Sequence, residues 1–453
     1  MAEEPQSQNG EVPRLEVYPT KSVLIDATGR REEFKEGPTS SLTKDRLEKI
    51  RRGLAGGFLS VVVDQCRNLE PPVEELEVKD ISLLTQLVDS VTSEYGRAIV
   101  GLTVLQLSIK AIEPNQSVRL HKGGGAGEAF SWADGIPMRV LDKEYNTPVL
   151  RQSDLLSLNA DGCFMTRSLA ENYPYTKLYK AAIRGAKLEW LELVDRVESG
   201  TLKPLPALQH LVGMLINRSD SFKEDAKRAL SHMKSVASNV RDIDAATTLL
   251  LGFIDDSTHA ARLFEIAMHA LCQVVEDHHG YDGFLKPLSQ MRSANKKHGN
   301  IGDIEVTRRA VGMEILLSWD AKYGKTYLRD ELDELEEKLR DHPETKVAGF
   351  VTDGELHHRE EVLMRAKEIE VTHGVTVELC SFRSWAASQA VLVGVPPRQL
   401  ATEWIVAFAE SICQRRRPRA PIDEPAGAWV TALLQVQGGK GRGGGGIPGR
   451  VRH

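Results

Sequence analysis

The rhythm of hydrophobic and polar positions changes once along the chain, near residue 245. Before that point apolar residues recur at the i, i+3, i+4, i+7 spacing of one helix face. Windows 43–68 and 78–112 carry this period, and Thr43 and Asp80 are the expected N-caps because their side-chain oxygens can accept from free first-turn N–H groups. Two short helices are predicted at 138–145 and 149–158, and longer ones at 186–199, 205–217 and 220–239. Residues 1–40 read as an irregular polar segment with one short strand at 22–25. Residues 41–240 are therefore expected to form a mainly helical region. A glycine-rich break at 123–127 has no Gly-Lys-Ser/Thr after it, so it reads as a hinge or a loop approaching a ligand and not as a phosphate loop.

Beyond 245 the order becomes helix (257–277), strands (302–309 and 312–322), helix (326–341), strand (345–352), helix (357–372), strand (375–382) and helix (397–414). Short strands interleaved with helices predict an α/β or α+β domain with a mixed sheet over 245–415. Residues 416–453 read as a basic Gly/Arg-rich tail, and its end at 437–453 lacks the apolar residues a core needs.

Composition narrows the class without naming a function. A chain of 453 residues is too long for one core, so two or three domains are expected. No apolar run approaches the roughly 20 residues that cross a bilayer. The first residues are acidic and polar, unlike a secretory signal. Cys66, Cys163, Cys272, Cys380 and Cys413 are scattered without a CxxC pair, so reduced thiols are expected, as in a cytoplasmic protein. The net charge of -6 hides an asymmetry: 415–453 hold eight basic and two acidic residues, a net +6, and the rest of the chain carries -12. An acidic body neither argues for nucleic acid nor excludes it, because phosphates respond to a local basic cleft.

The candidate chemistry lies in the second half. Along 312–322, strand alternation places Ile315, Leu317, Trp319 and Ala321 on one face and Ser318, Asp320 and Lys322 on the other. An aspartate and a lysine at the end of an apolar strand are costly if buried without partners. Asp303, at the start of the preceding strand, can supply a second carboxylate if the turn near 310–312 makes a hairpin. Two converging carboxylates offer the hard oxygen donors that suit Mg²⁺. Asp303 and Asp320 are then the expected metal ligands, and Lys322 stands where charge builds on a phosphate. The bland alternative is a solvated strand end with Asp303 in a turn.

This arrangement, Asp303 followed by Asp320-Ala321-Lys322, resembles the PD-(D/E)xK nuclease superfamily, although Gly302 stands where that family often has proline. The flanks are similar too. The leucines Leu328, Leu332, Leu335 and Leu339 suit the helix behind the catalytic strand, and the helix carrying Phe264, Glu265 and Ile266 suits the family's first helix. The resemblance covers about 255–415 and implies a restriction-endonuclease-like core, Mg²⁺ as cofactor, duplex DNA as substrate and Glu265 as a fourth catalytic residue. Residues 128–200 are similar to restriction enzymes of the SacI family. That similarity implies a type II enzyme cutting a short palindromic site as a homodimer, with a cognate DNA methyltransferase encoded nearby. A structure-specific repair or junction nuclease, and a non-catalytic DNA-binding protein with a nuclease-like fold, are the competing readings.

Candidate DNA contacts come from the dense Arg/Lys/Tyr segment 166–184. Arg167, Tyr173, Tyr175, Lys177, Lys180 and Arg184 are residue types that contact phosphates and bases. The alternative is a helical surface with the tyrosines partly in the core. Lys296 and Lys297 precede Asp303 and are candidate phosphate contacts. The adjacent pairs His278-His279 and His357-His358 cannot share a helix face and read as surface residues.

Overall fold

The computed structural model describes residues 12–26, 28–68, 75–122, 131–158, 162–165, 167–170, 173–288, 299–310, 314–325, 327–355, 359–414 and 424–437. The chain divides into two compact units, 1–221 and 222–453. The division falls about 20 residues before the change in hydrophobic rhythm, inside a helix.

The first unit opens with β1 (Arg14–Tyr18), β2 (Lys21–Ile25) and β3 (Arg31–Lys35). They form an antiparallel sheet in the order β1-β2-β3. The expectation of an irregular segment with one strand is thus corrected. Only β2 carries a strongly buried run; the more exposed β1 and β3 pair with it on either side. The helices α1 (Ser41–Ala55), α2 (Phe58–Asn68), α3 (Val78–Asp89) and α4 (Glu94–Ile112) follow. Their caps lie three residues ahead of the expected ones. Ser40 accepts from the Thr43 N–H, and Glu77 and Asp80 form a capping box at α3. Asp80 also accepts from Arg196 Nε at 2.6 Å.

Between Arg97 and Lys110, α4 has no charged residue and nearly every side chain is buried. A helix apolar all round belongs at the centre of its unit. Around it lie α5 (Met138–Leu141), continued by a π-helical turn Asp142–Asn146, then α6 (Thr147–Gln152) and α7 (Lys187–Glu198). The two helices expected at 205–217 and 220–239 are one, α8 (Pro204–Ser238), because neither Gly nor Pro interrupts 217–220.

The second unit contains α9 (Ile243–Asp255), α10 (Ala260–Asp277), β4 (Phe284–Leu285), β5 (Ile304–Thr307) and β6 (Ile315–Lys322). It continues with α11 (Arg329–Leu339), β7 (Val347–Thr352), α12 (Glu360–His373), β8 (Thr376–Ser381), α13 (Phe382–Val391), α14 (Pro397–Ile412) and α15 (Ala426–Leu433). The five strands form one mixed sheet in the order β4-β5-β6-β7-β8. The pairs β4/β5 and β5/β6 are antiparallel, and β6/β7 and β7/β8 are parallel. The expected mixed sheet is present in the expected half of the chain.

Both sheet faces are covered. Trp319, Ile304, Val306 and Val351 join the core built by α9, α10, α13, α14 and α15. Ile315, Ala348, Phe350 and Val375 join the smaller core under α11 and α12. This corrects the expectation that Ile315 shares a face with Leu317, Trp319 and Ala321: the β5/β6 ladder slips between Val306 and Thr307, and Ile315 falls on the other side of the sheet. Four elements were not anticipated: α9, the two-residue β4, α13 and α15. α9 is capped by Asp242, and α13 follows β8 with no turn signal, its start marked only by the Ser381 cap. The tail also begins later than expected. Trp429, Val430 and Leu433 are buried in the unit's main core, so 424–437 belong to the folded unit. The residues 415–423 and 438–453 lie outside the described residues.

All five cysteines are free thiols. Among the described residues no helix is long and apolar enough to cross a membrane.

Candidate active site

Strand pairing alone brings the two aspartates together. Ile304 pairs with Trp319, and the Asp303 N–H donates to the Trp319 carbonyl at 3.1 Å. One step further along β6, a side chain takes over from the ladder: Asp303 Oδ2 accepts from the Ala321 N–H at 3.0 Å. This geometry needs the residue before Asp303 to lie flat against β6. A Cβ on Gly302 would stand 2.7 Å from Ser318 Oγ and 2.8 Å from the Trp319 carbonyl oxygen. That contact explains the glycine at this position.

The carboxyl groups of Asp303 and Asp320 meet within hydrogen-bonding range. Burial, then the charge of Asp320 and the hydrogen bond with it, push the Asp303 carboxyl well above the usual carboxylate range, against a smaller pull from the Ala321 N–H. Asp320 is 8% exposed. The polar face of β6 is therefore interior, and it has the compensation that burial demands. Lys322 Nζ lies 3.0 Å from Asp320 Oδ2 and 2.7 Å from Glu331 Oε2 on α11, and 5.6 Å from the centre of the Phe350 ring. Burial favours the neutral amine of Lys322, but Asp320 and Glu331 outweigh it and hold the ammonium above the usual lysine range. Glu331 also pairs with Lys325. Sequence reasoning passed over Glu331, whose only signal was its place in the first turn of the helix behind the strand.

Glu265 on α10 is within electrostatic range of both aspartates. Burial raises its carboxyl, and Arg262 opposes the rise. Its Oε2 is held by the Arg262 guanidinium, which also donates to Glu424 Oε1 at 2.8 Å. Arg262 and Glu424 are both buried. Glu265, the expected fourth member, is thus one arm of a buried Glu-Arg-Glu chain. Among the described residues, no three His, Cys, Asp or Glu side chains are grouped to hold a metal ion. The site offers a pair of carboxylates.

No protein-family model matches the chain, and no curated protein does.

The Arg/Lys/Tyr segment divides. Tyr175 is fully buried and its hydroxyl donates to the Leu169 carbonyl at 2.5 Å, so it cannot reach a base. Burial drives its hydroxyl well above the usual tyrosine range. Tyr175, Tyr179 and Trp190 form an aromatic cluster in the unit's core, and half-buried Tyr173 packs on it. The tyrosine density is thus explained by packing. Lys177, Lys180 and Arg184 are exposed. Lys177 pairs with Glu192, and the Lys180 ammonium lies 5.5 Å from the centre of the Tyr173 ring. The side chain of Arg167 lies outside the described residues, as do Lys296, Lys297, the 123–127 glycines and the 357–358 histidine pair. His278 is paired with Glu403 at 2.6 Å.

A pH prediction follows from Asp303. A carboxyl whose folded pKa is raised keeps its proton in the folded state after the unfolded chain has lost it. Stability therefore falls as pH rises from about 4, the unfolded value, through the raised folded value. Asp303→Asn removes this penalty and keeps an acceptor for the Ala321 N–H and a donor toward Asp320. In chelator at pH 8 the variant is expected to melt a few degrees above wild type, the scale of about 1 kcal/mol in a unit of this size, with the two converging toward pH 4. Parallel melting curves for the two proteins across this range would refute it.

Proposed function

We propose that the chain is a magnesium-dependent endonuclease acting on duplex DNA, with Asp303 and Asp320 as the ion ligands and Lys322 as the cation facing the scissile phosphate. The observation that carries the reading is the buried Asp303–Asp320 pair beside a charged lysine. Two buried carboxyl groups held against each other, each disfavouring the other's charge, are the donor set that a hard divalent cation relieves. Mg²⁺ is commonly held by one or two carboxylates, with waters and substrate phosphates completing its shell, so a pair suffices. When bound there, the ion would lower the pKa of a coordinated water and polarise the phosphate.

The chain's own groups set the remaining chemistry. Lys322 stays protonated, so it donates to phosphate oxygens and does not act as a base. Its partner Glu331 keeps Lys325 when Lys322 turns toward substrate, so the shift does not leave Glu331 unpaired. Phe350 beneath the Lys322 ammonium limits the directions in which it can turn.

The test is incubation of purified protein with varied plasmid DNA and Mg²⁺. Cleavage by wild type and none by Asp320→Ala supports the reading, and equal behaviour of the two sinks it. A ladder of discrete fragments favours the finer reading, a type II restriction endonuclease acting as a homodimer at a short site. Mg²⁺ at ten times its dissociation constant is also expected to stabilise wild type by about 1.4 kcal/mol, and Asp303→Asn by much less, as read by thermal melting.

A further inference from the structure

Asp303 precedes its strand, so something must hold the turn that presents it. Two residues on, Glu305 is only 3% exposed, and each of its carboxylate oxygens is engaged. Oε1 accepts from the Ile301 N–H at 2.6 Å and the Gly302 N–H at 3.2 Å. Oε2 accepts from Lys286 Nζ at 2.6 Å. Lys286 is fixed in turn: its N–H donates to the Glu305 carbonyl at 2.8 Å, its ammonium reaches Asn300 Oδ1 at 3.2 Å, and its carbonyl meets His269 Nε2 at 2.9 Å. The backbone on the N-terminal side of Asp303 is therefore gripped by a buried carboxylate from its own strand.

We infer that Glu305 is the positioning residue for Asp303: by capping the Ile301 and Gly302 N–H groups it curls the chain so that Asp303 lies over the end of β6, against Ala321 and Asp320. The role in metal-dependent cleavage rests on the function proposed above, and the positioning itself does not. Two constraints meet here. Gly302 allows the chain to approach β6, and Glu305 prevents it from leaving. Without the carboxylate, two N–H groups would be left without their acceptor beside the site, and the turn would relax to find water. Asp303 would then lose the alignment that lets its side chain replace a main-chain acceptor for Ala321.

The Ala321 amide reports this directly, because its N–H is bonded to the Asp303 side chain. Site-resolved hydrogen exchange on the full chain without metal or DNA is the decisive measurement. In Glu305→Ala, exchange at Ala321 is expected to rise about 10- to 100-fold, together with Ile301 and Gly302, while Val351 in the neighbouring strand keeps its protection. Unchanged exchange at Ala321 with Val351 protected overturns the assignment. Should Glu305→Ala lose protection at Val351, Glu305→Gln decides. Its amide retains one acceptor but turns donors toward the Lys286 ammonium, so a severalfold rise at Ala321 is expected, and a wild-type rate overturns the assignment. In cleavage, Glu305→Gln is expected to lower kcat about tenfold or more with KM little changed. Failure of wild type to cleave DNA would sink the nuclease reading and leave the exchange result standing on its own.

Discussion

The Asp320→Ala variant is expected to lose Mg²⁺-dependent cleavage of duplex DNA by about 10³-fold or more, with duplex affinity changed only a few-fold. Asp320 has two partners, the Asp303 carboxyl and the Lys322 ammonium, and under the proposed function it would also hold the cation. Removing it takes away half of the carboxylate pair and frees Lys322 to rest on Glu331 alone. DNA affinity comes mainly from phosphate contacts summed over an interface, so one lost carboxylate barely weakens it and can even strengthen it by removing negative charge. Lys322→Ala should lose cleavage to a similar degree for a different reason. The carboxylates remain, but no ammonium faces the developing charge, and Asp320 is left buried without its cation. Lys322→Ala should therefore also melt below wild type, whereas Asp320→Ala should not. Gel-based cleavage and melting on the same preparations separate the two effects. Cleavage by Asp320→Ala at more than about a tenth of the wild-type rate would exclude metal chemistry at this pair.

The largest effect on stability is expected at Gly349, the register partner of Trp319 on the strand beside the site. Trp319, Gly349 and Glu378 are register partners across β6, β7 and β8. The Trp319 indole reaches Glu378 Oε2 at 2.8 Å across the strand between them. A Cβ on Gly349 would lie 2.0 Å from the Glu378 carbonyl oxygen, a main-chain atom with no freedom to retreat. Gly349→Ala must therefore push β7 and β8 apart and break parallel pairing at the middle of the sheet. The cost expected is about 4 kcal/mol or more, or roughly 10 °C or more in melting temperature for a unit of this size. Gly354→Ala just beyond the strand is the control. Nothing lies within 4 Å of its Cβ, and it should melt close to wild type. A Gly349→Ala protein melting within about 2 °C of wild type would mean that the two strands are not paired as described.

The second unit was legible because its strands and helices carry strong local periods. Leu317 to Lys322 alternate as a strand and pair as one, and Leu332, Leu335 and Leu339 line the helix behind it. β1 and β3 gave a weaker signal: Leu15 and Val17 alternate with charged residues in β1 but over five residues only, and β3 has Phe34 as its one apolar residue. The helix of Trp429 and Leu433 was hidden by the basic residues on either side, which dominated the composition. Tyr175 shows the converse error. Residue type suggested a ligand contact, and only burial reveals a core residue.

Within the site, sequence alone determined that Asp320 and Lys322 share a strand face opposite Trp319, since alternation is a local property of extended backbone. It also determined that Asp303 stands one strand earlier. The tertiary structure decided everything that depends on which surfaces meet. It buried the polar face, brought Glu331 to Lys322, set Arg262 between Glu265 and Glu424, and set Glu305 under the turn before Asp303. The Lys322–Glu331 and Arg262–Glu424 contacts join residues from different elements, and no period along the chain encodes the distance between them; Arg262–Glu265 and Glu305–Ile301 are close in sequence, but only burial makes them binding.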